Sequence, residues 1–188
     1  MKIGVLALQG DFREHQEITR GLGHEAPAIR RGEELVGLDG LIIPGGESTT
    51  IALLAKNFDL IRPIREAIES GLPVYGSCAG MILLANHIVG GSKNQETFGG
   101  IDMVVKRNAF GRQVDSFEGQ VDFNGGEIHG VFIRAPWVES VGDKAQVLAV
   151  FQGHPVAVRQ GKLLATSFHP ELTDNSSVHR YFFDEMCK

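Results

Sequence analysis

Cysteine is scarce in this chain: only Cys78 and Cys187 occur, and they are far apart. Two such residues build no disulfide framework, and no C-x-x-C or comparable spacing offers a metal site. The expectation is a reduced, cytoplasmic protein with no metal and no cofactor. Basic charge is also short, with 18 Lys and Arg against 23 Asp and Glu and a formal net charge of −5. Nucleic-acid binders carry a basic surplus or stripe, so that class of partner is set aside. No apolar run nears the roughly 20 residues that span a bilayer, so no membrane partner is expected. The opening MKIGVLALQG has one Lys and a short apolar run leading straight into a glycine turn, which does not read as a secretory signal. Internal repeats, low-complexity linkers, G-K-[ST] and GxGxxG are all missing, which excludes a phosphate loop or a dinucleotide fingerprint.

What is present is an ordinary globular composition, 43% hydrophobic and 22% charged over 188 residues. That length predicts one domain over 1–188 with a substantial core. Residues 2–8 are a continuous apolar run, as for a strand buried on both faces. Residues 11–22 place Phe12, His15, Ile18 and Leu22 at helical spacing, and Gly21 and Gly23 close that helix. Residues 40–43 predict a second strand, ended by Pro44-Gly45-Gly46. Ser48, Thr49 and Thr50 are N-cap candidates for a helix over about 50–57, and another helix is expected over about 61–70. Residues 73–77 read as a third strand and 79–89 as an apolar helix.

The alternation β-α-β-α-β-α implies a parallel sheet with helices on both faces. Beyond residue 100 the segments MVVKR, SFEGQVDF, IHGVFIRA, AQVLAVFQG, PVAVRQG and KLLATSF read as strands joined by glycine turns, which is antiparallel character. A last helix is expected over about 174–187, starting near Asn175 or Ser176. The fold class is therefore α/β, a three-layer arrangement with a mixed sheet that has a parallel core and an antiparallel extension.

Gly76-Ser77-Cys78-Ala79-Gly80 lies between a predicted strand and a predicted helix. This is the nucleophile-elbow pattern with Cys in place of Ser. The sharp turn demands small neighbours, and the following helix N-terminus favours thiolate. The backbone N–H of Ala79 is a candidate oxyanion donor. A nucleophile needs a base, and the base needs an orienting group. Ser167-Phe168-His169-Pro170-Glu171 supplies both, because Pro170 biases His169 towards extended chain, where residues i and i+2 face the same way. Glu171 can then hold the imidazole tautomer. The other histidines, His15, His24, His87, His129, His154 and His179, show no acidic partner in such a pattern and read as surface or packing residues. Cys187 reads as inert. Pro44-Gly45-Gly46-Glu47-Ser48-Thr49 is suited to a nest of backbone N–H groups, with Gly46 as a second candidate oxyanion donor; an ordinary helix cap is the plainer reading of that segment.

Taken in order, these pieces resemble the triad glutamine amidotransferases. GVLALQGDFREH, LIIPGGEST, GSCAGMILLA, KRNAFGRQVDSFEG, GVFIRAP and SFHPEL together resemble the glutaminase subunits of pyridoxal 5′-phosphate synthases, through nearly the whole chain. The resemblance implies a flavodoxin-like amidotransferase fold and a Cys78–His169–Glu171 triad. It places glutamine contacts at Gly46, Glu47, Ser48, Arg107, Ile133 and Arg134. Free L-glutamine carries an ammonium suited to Glu47 and a carboxylate suited to an Arg, and either Arg107 or Arg134 fits that role. It also implies hydrolysis of L-glutamine to L-glutamate and ammonia. The ammonia is expected to pass through a channel to the separate synthase catalytic subunit, which uses ribose 5-phosphate and glyceraldehyde 3-phosphate. Low activity before docking would follow from an oxyanion hole, near Gly46 and the Leu8-Gln9-Gly10 turn, that is completed only by that partner. Three other readings stay open: a stand-alone thiol hydrolase or peptidase, a non-catalytic module on the same fold, and a glutaminase serving a different pathway.

Overall fold

The computed structural model describes residues 1–91, 95–109 and 116–188. Residues 110–115 of the KRNAFGRQVDSFEG segment lie outside the described part. The first strands are β1 (Ile3–Leu6), β2 (Ala28–Ile29), β3 (Gly40–Ile43) and β4 (Val74–Ser77), with helices α1 (Phe12–Gly21), α2 (Ser48–Asn57), α3 (Ile61–Glu69) and α4 (Ala79–Leu84) between and after them. Then come β5 (Ala85–Val89), β6 (Ile101–Lys106), β7 (Ser116–Phe123), β8 (Gly126–Ile133), β9 (Trp137–Val141), β10 (Gln146–Phe151), β11 (His154–Gln160) and β12 (Leu163–Thr166). A 3-10 turn, Pro170–Leu172, and α5 (Ser177–Glu185) complete the order.

Seven strands form the central sheet in the order β10-β11-β12-β4-β3-β1-β2. The run from β12 to β2 is parallel, and β10 and β11 extend it antiparallel. Strands β1, β3, β4 and β12 are fully buried, as the continuous apolar runs of β1 and β3 require. Alternate side chains divide them between two cores. Leu6, Leu41, Ile43 and Val74 pack with α2, α3 and α4, whereas Ile3, Val5, Ile42 and Tyr75 pack with α5 and the β7–β8 hairpin. Each fully buried aliphatic side chain contributes about 1.5–3 kcal/mol. No helix among the described residues is long and apolar enough to cross a membrane.

Several sequence-based expectations are corrected. The helix expected over 79–89 ends at Leu84, where Ala85 turns to an extended backbone and starts β5. The Leu83 carbonyl accepts from the N–H groups of Phe98 (2.7 Å) and Gly99 (3.1 Å), which ends the helix, and β5 then pairs in parallel with β6. The later strands do not all join one sheet. β5-β6-β9 and β7-β8 form two smaller sheets, with Trp137–Val141 an unforeseen strand. The cap of α2 is Glu47 rather than Ser48, Thr49 or Thr50, its carboxylate accepting from the Thr50 N–H at 2.9 Å.

Candidate active site

The C-terminal ends of β1, β3, β4 and β12 converge, which is where open parallel sheets bind ligands. From them come Gln9 and Asp11, the Gly45-Gly46-Glu47 turn, Cys78 and His169. Cys78 sits at φ 46° and ψ −96°, a left-handed position costly for a non-glycine residue, so the elbow expected from the sequence is present. Its glycines are steric requirements. A Cβ on Gly76 would lie 2.5 Å from the Gly80 carbonyl carbon, and one on Gly80 would lie 2.3 Å from the Ile43 oxygen. Gly80→Ala is therefore expected to destabilise the protein by about 1–3 kcal/mol, since strand backbone must move and the gain in helix propensity is smaller. Chemical denaturation checks this; an unchanged midpoint would contradict the packing argument.

His169 and Glu171 meet as expected, Nδ1 to Oε1 at 2.7 Å, both almost fully buried. The local reason differs from the expectation: Pro170 opens a 3-10 turn, so Glu171 is not in extended chain. Burial opposes charge on His169, but Cys78 and the Glu171 carboxylate outweigh it and push the imidazole pKa up. Burial likewise opposes ionisation of Glu171, yet His15 and His169 hold its carboxyl well below the usual range. The imidazole Nε2 is buried without a hydrogen-bond partner among the described residues. A charged imidazole beside Cys78 is the arrangement that supports a thiolate.

Asp11, which the sequence did not single out, places Oδ2 3.5 Å from His169 Nδ1. Burial raises its pKa, with His169 opposing. Asp11, His169 and Glu171 bring ligand-type atoms within 4.8 Å of one another. Two of the three already bond each other, which fits acid–base work on an imidazole.

Gln9, Asp11, Gly46, Glu47, Ser48, Cys78, Arg107, Ile133, Arg134 and His169 line one cavity of about 270 Å³, so every predicted contact position reaches it. Ala79, the predicted oxyanion donor, is the first residue of α4, and its N–H has no acceptor within the helix. Glu47 pairs with Arg107 Nη2 at 2.6 Å while capping α2. Burial works against its ionisation, but the Thr50 N–H and Arg107 lower its pKa on balance. Arg107 also donates to Gln95 Oε1 (3.3 Å), whose amide donates to Ser48 Oγ (3.0 Å). Gln95, too, was not legible in the sequence. Arg134 has no ion pair among the described residues. Gln9 Oε1 accepts from the Glu47 N–H at 2.8 Å, and a Cβ on Gly46 would lie 2.6 Å from the same oxygen. A larger, open depression of about 700 Å³ near Glu118, His129 and Leu172 has no cysteine in its lining.

Two of the remaining histidines occupy the surface or packed positions expected of them but meet acidic partners that the sequence did not show. His129 pairs with Glu118 at 2.7 Å on the surface. His15, fully buried, has Nε2 3.5 Å from Glu171 Oε2. Cys187 conforms to its inert reading: burial pushes its thiol up to about 12.

The sequence pattern of the SNO glutamine amidotransferase family matches residues 5–188. Among curated proteins, the pyridoxal 5′-phosphate synthase subunit PdxT of Mycobacteroides abscessus is 60% identical over 184 residues, covering 97% of this chain and 95% of its own. PdxT of Streptomyces coelicolor is 60% identical over 185 residues, covering 97% and 92%. A crystal structure of a glutamine amidotransferase superposes with a TM-score of 0.94 at 51% identity, covering 100% of this chain and 99% of that one. A putative GMP synthase subunit from Thermoplasma acidophilum, at TM-score 0.67 and 20% identity, covers 100% and 92% and shares the fold.

Proposed function

Because the chain belongs to the SNO glutamine amidotransferase family, we propose that Cys78, His169 and Glu171 are its glutaminase triad. The protein is the glutaminase subunit of a pyridoxal 5′-phosphate synthase, an enzyme that hydrolyses glutamine. The observation that carries the triad assignment is a strained Cys78 beside a buried, carboxylate-paired His169 in one cavity. Cys78 thiolate attacks the side-chain carbonyl of glutamine, and the N–H groups of Ala79 and Gly46 hold the oxyanion. Such a donor is typically worth roughly 10²–10³ in rate. His169 gives its Nε2 proton to the leaving nitrogen as the C–N bond breaks and ammonia departs. Water then attacks the thioester, losing a proton to His169, and glutamate leaves as the C–S bond breaks. Glu171 keeps the imidazole oriented throughout.

The cavity, at about 270 Å³, lies below the roughly 300–1,000 Å³ typical of drug-sized sites, which suits one amino acid better than a peptide. Arg107 is engaged by Glu47, so Arg134 is the better candidate for the substrate carboxylate. Arg134→Ala is expected to raise KM for glutamine by about tenfold or more with a smaller change in kcat, since a charge-assisted contact is lost from ground and transition states alike. An unchanged KM would assign the carboxylate elsewhere.

The partner is the synthase subunit of the same enzyme. Free ammonia is protonated and diluted in water, so we read the partner as receiving it directly through a channel. Gln9 occupying the Glu47 N–H beside Gly46 supports an oxyanion site that is completed on docking. Two free cysteines suit a reduced cytoplasmic setting. The test is ammonia release from glutamine with and without the synthase subunit, with Cys78→Ala as control. Cys78-dependent release that rises with the partner supports the reading. Release indifferent to the partner removes the docking step.

A further inference from the structure

Behind the triad lies a second row of buried polar groups that the glutaminase reaction scheme does not use. His15 projects from α1 and His179 from α5, and both are fully buried. His15 Nδ1 and His179 Nε2 share a hydrogen bond of 2.9 Å. His15 Nε2 lies 3.0 Å from the hydroxyl of Ser77, the residue before the nucleophile, and 3.5 Å from Glu171 Oε2. That carboxylate oxygen is buried and makes no hydrogen bond among the described residues, with His15 Nε2 in ion-pair range at 3.5 Å, while its sister Oε1 is taken by His169. An ionised carboxylate with one oxygen unpaired in the interior is expensive unless a donor faces it.

With neutral imidazoles, one direction of hydrogen bonding turns a donor towards Glu171 and Ser77; His179 Nδ1 has no hydrogen-bond partner among the described residues in either direction. Burial above all, with His15 beside it, lowers the pKa of His179 to about 3, so His179 is neutral at any working pH and can donate from only one nitrogen. With its proton on Nε2, it donates to His15 Nδ1. His15 then carries its proton on Nε2, aimed at Glu171 Oε2 and the Ser77 oxygen. Glu171 Oε1 accepts from His169 Nδ1–H, leaving His169 Nε2 for Cys78 and the substrate. The opposite tautomer of His15 would turn a lone pair towards a carboxylate oxygen.

We propose that His15 is a positioning residue of the glutaminase centre, whose Nε2–H holds Glu171 in the rotamer and charge state that orient His169. The proposal deepens the triad assignment and rests on it. The groups facing His15 are Glu171 from the 3-10 turn, His179 from α5, Tyr75 from β4 and Asp11 at the start of its own helix. Those facing His169 are Cys78, Glu171 and Asp11. Without the His15 donor, Glu171 holds its charge less firmly and supports the imidazolium less. The thiolate–imidazolium pair then forms only at higher pH.

The test uses the whole chain and needs neither glutamine nor the synthase subunit for its first reading. The rate of Cys78 alkylation by iodoacetamide is followed against pH for wild type, His15→Leu and His15→Gln. His15→Leu removes the donor, and its acid limb is expected to move to higher pH. His15→Gln keeps an N–H₂ donor and is expected to restore the wild-type limb. With the synthase subunit present, His15→Leu should lower kcat for ammonia release by about 10- to 100-fold, the size usual for a group that orients a catalytic ligand, with KM little changed. A folded His15→Leu with an unmoved pH limb and unchanged kcat overturns the proposal. So does equal impairment of the Leu and Gln variants alongside equal losses in Tm.

Should His15→Leu fail to fold, imidazole ¹⁵N shifts of the wild-type protein decide the matter: a proton on Nε2 of His15 is required, and one on Nδ1 alone contradicts it. Absence of ammonia release by the wild-type complex would instead count against the glutaminase centre itself, leaving the pH and tautomer readings to stand or fall separately.

Discussion

Cys78→Ala is expected to lower ammonia release from glutamine by roughly 10⁴–10⁶-fold, the scale on which losing a covalent nucleophile disables a triad hydrolase. The size follows from the route. Without sulfur no thioester forms, and water would have to attack an unactivated amide directly, helped only by binding and the oxyanion donors. The substitution should leave the fold intact, because Cys78 is held by its backbone turn more than by its side chain, whose sulfur donates to the Ile133 carbonyl over a long 3.8 Å. Alanine keeps the same unfavourable φ of 46° as any other non-glycine residue, so stability should change little. The check is a steady-state ammonia assay on the complex with the synthase subunit, beside a thermal melt. A loss smaller than about 10²-fold would mean that another group performs the attack.

Glu171→Gln is the second large effect. The amide keeps the shape but presents either a neutral oxygen or an N–H₂ group to His169 Nδ1. With N–H₂ towards the ring, the imidazole must hold its proton on Nε2 and cannot serve as base there. With oxygen towards the ring, the charge that stabilises the imidazolium is gone. A comparable change in serine proteases lowers kcat by about 10⁴, and a loss of roughly 10³–10⁴-fold is expected here. His15 aggravates it, since its Nε2–H would face a neutral amide or a second donor 3.5 Å away. The check is kcat and KM measured together. A fall in kcat at nearly constant KM supports orientation of the base, whereas a fall only in kcat/KM through KM would place Glu171 among binding residues.

The two variants also separate roles that a single inactive mutant would confuse. Alkylation should vanish from position 78 in Cys78→Ala but persist in Glu171→Gln, with its pH limb moved upward. That shift has the same sign as the one expected for His15→Leu and should be larger, because Glu171 touches His169 directly at 2.7 Å.

The parallel core was legible because β1 and β3 are buried on both faces and are written as unbroken apolar runs, with β4 placed by its position between a helix and the Cys78 turn. The elbow was legible for a similar reason: Gly76 and Gly80 have no room for a Cβ, so geometry shows as composition. His169 and Glu171 are close in sequence and could be paired on spacing alone. The helix after Cys78 was overextended because MILLANHIV is apolar enough for either state. What ends it, two N–H groups from Phe98 and Gly99 on the Leu83 carbonyl, comes from residues distant in the chain.

His15 fell on the inward stripe with Phe12, Ile18 and Leu22, so periodicity placed it inside but was silent about the carboxylate it would meet more than a hundred positions later. Asp11 and Gln95 were missed for the same reason. Each is an ordinary turn or loop residue until the fold brings it to His169 or Arg107. Glu47 was placed correctly in the cavity, but its pairing with Arg107 and its cap on α2 changed the reading of which charges remain for substrate.

The proposed triad requires a covalent intermediate on one sulfur. The most direct measurement is rapid acid quenching of the complex during turnover of glutamine, followed by peptide mass analysis. A mass increase of one glutamyl group is expected on the peptide containing Cys78, absent in Cys78→Ala. Ammonia release at full rate with no adduct there, or with the adduct on Cys187, would contradict it.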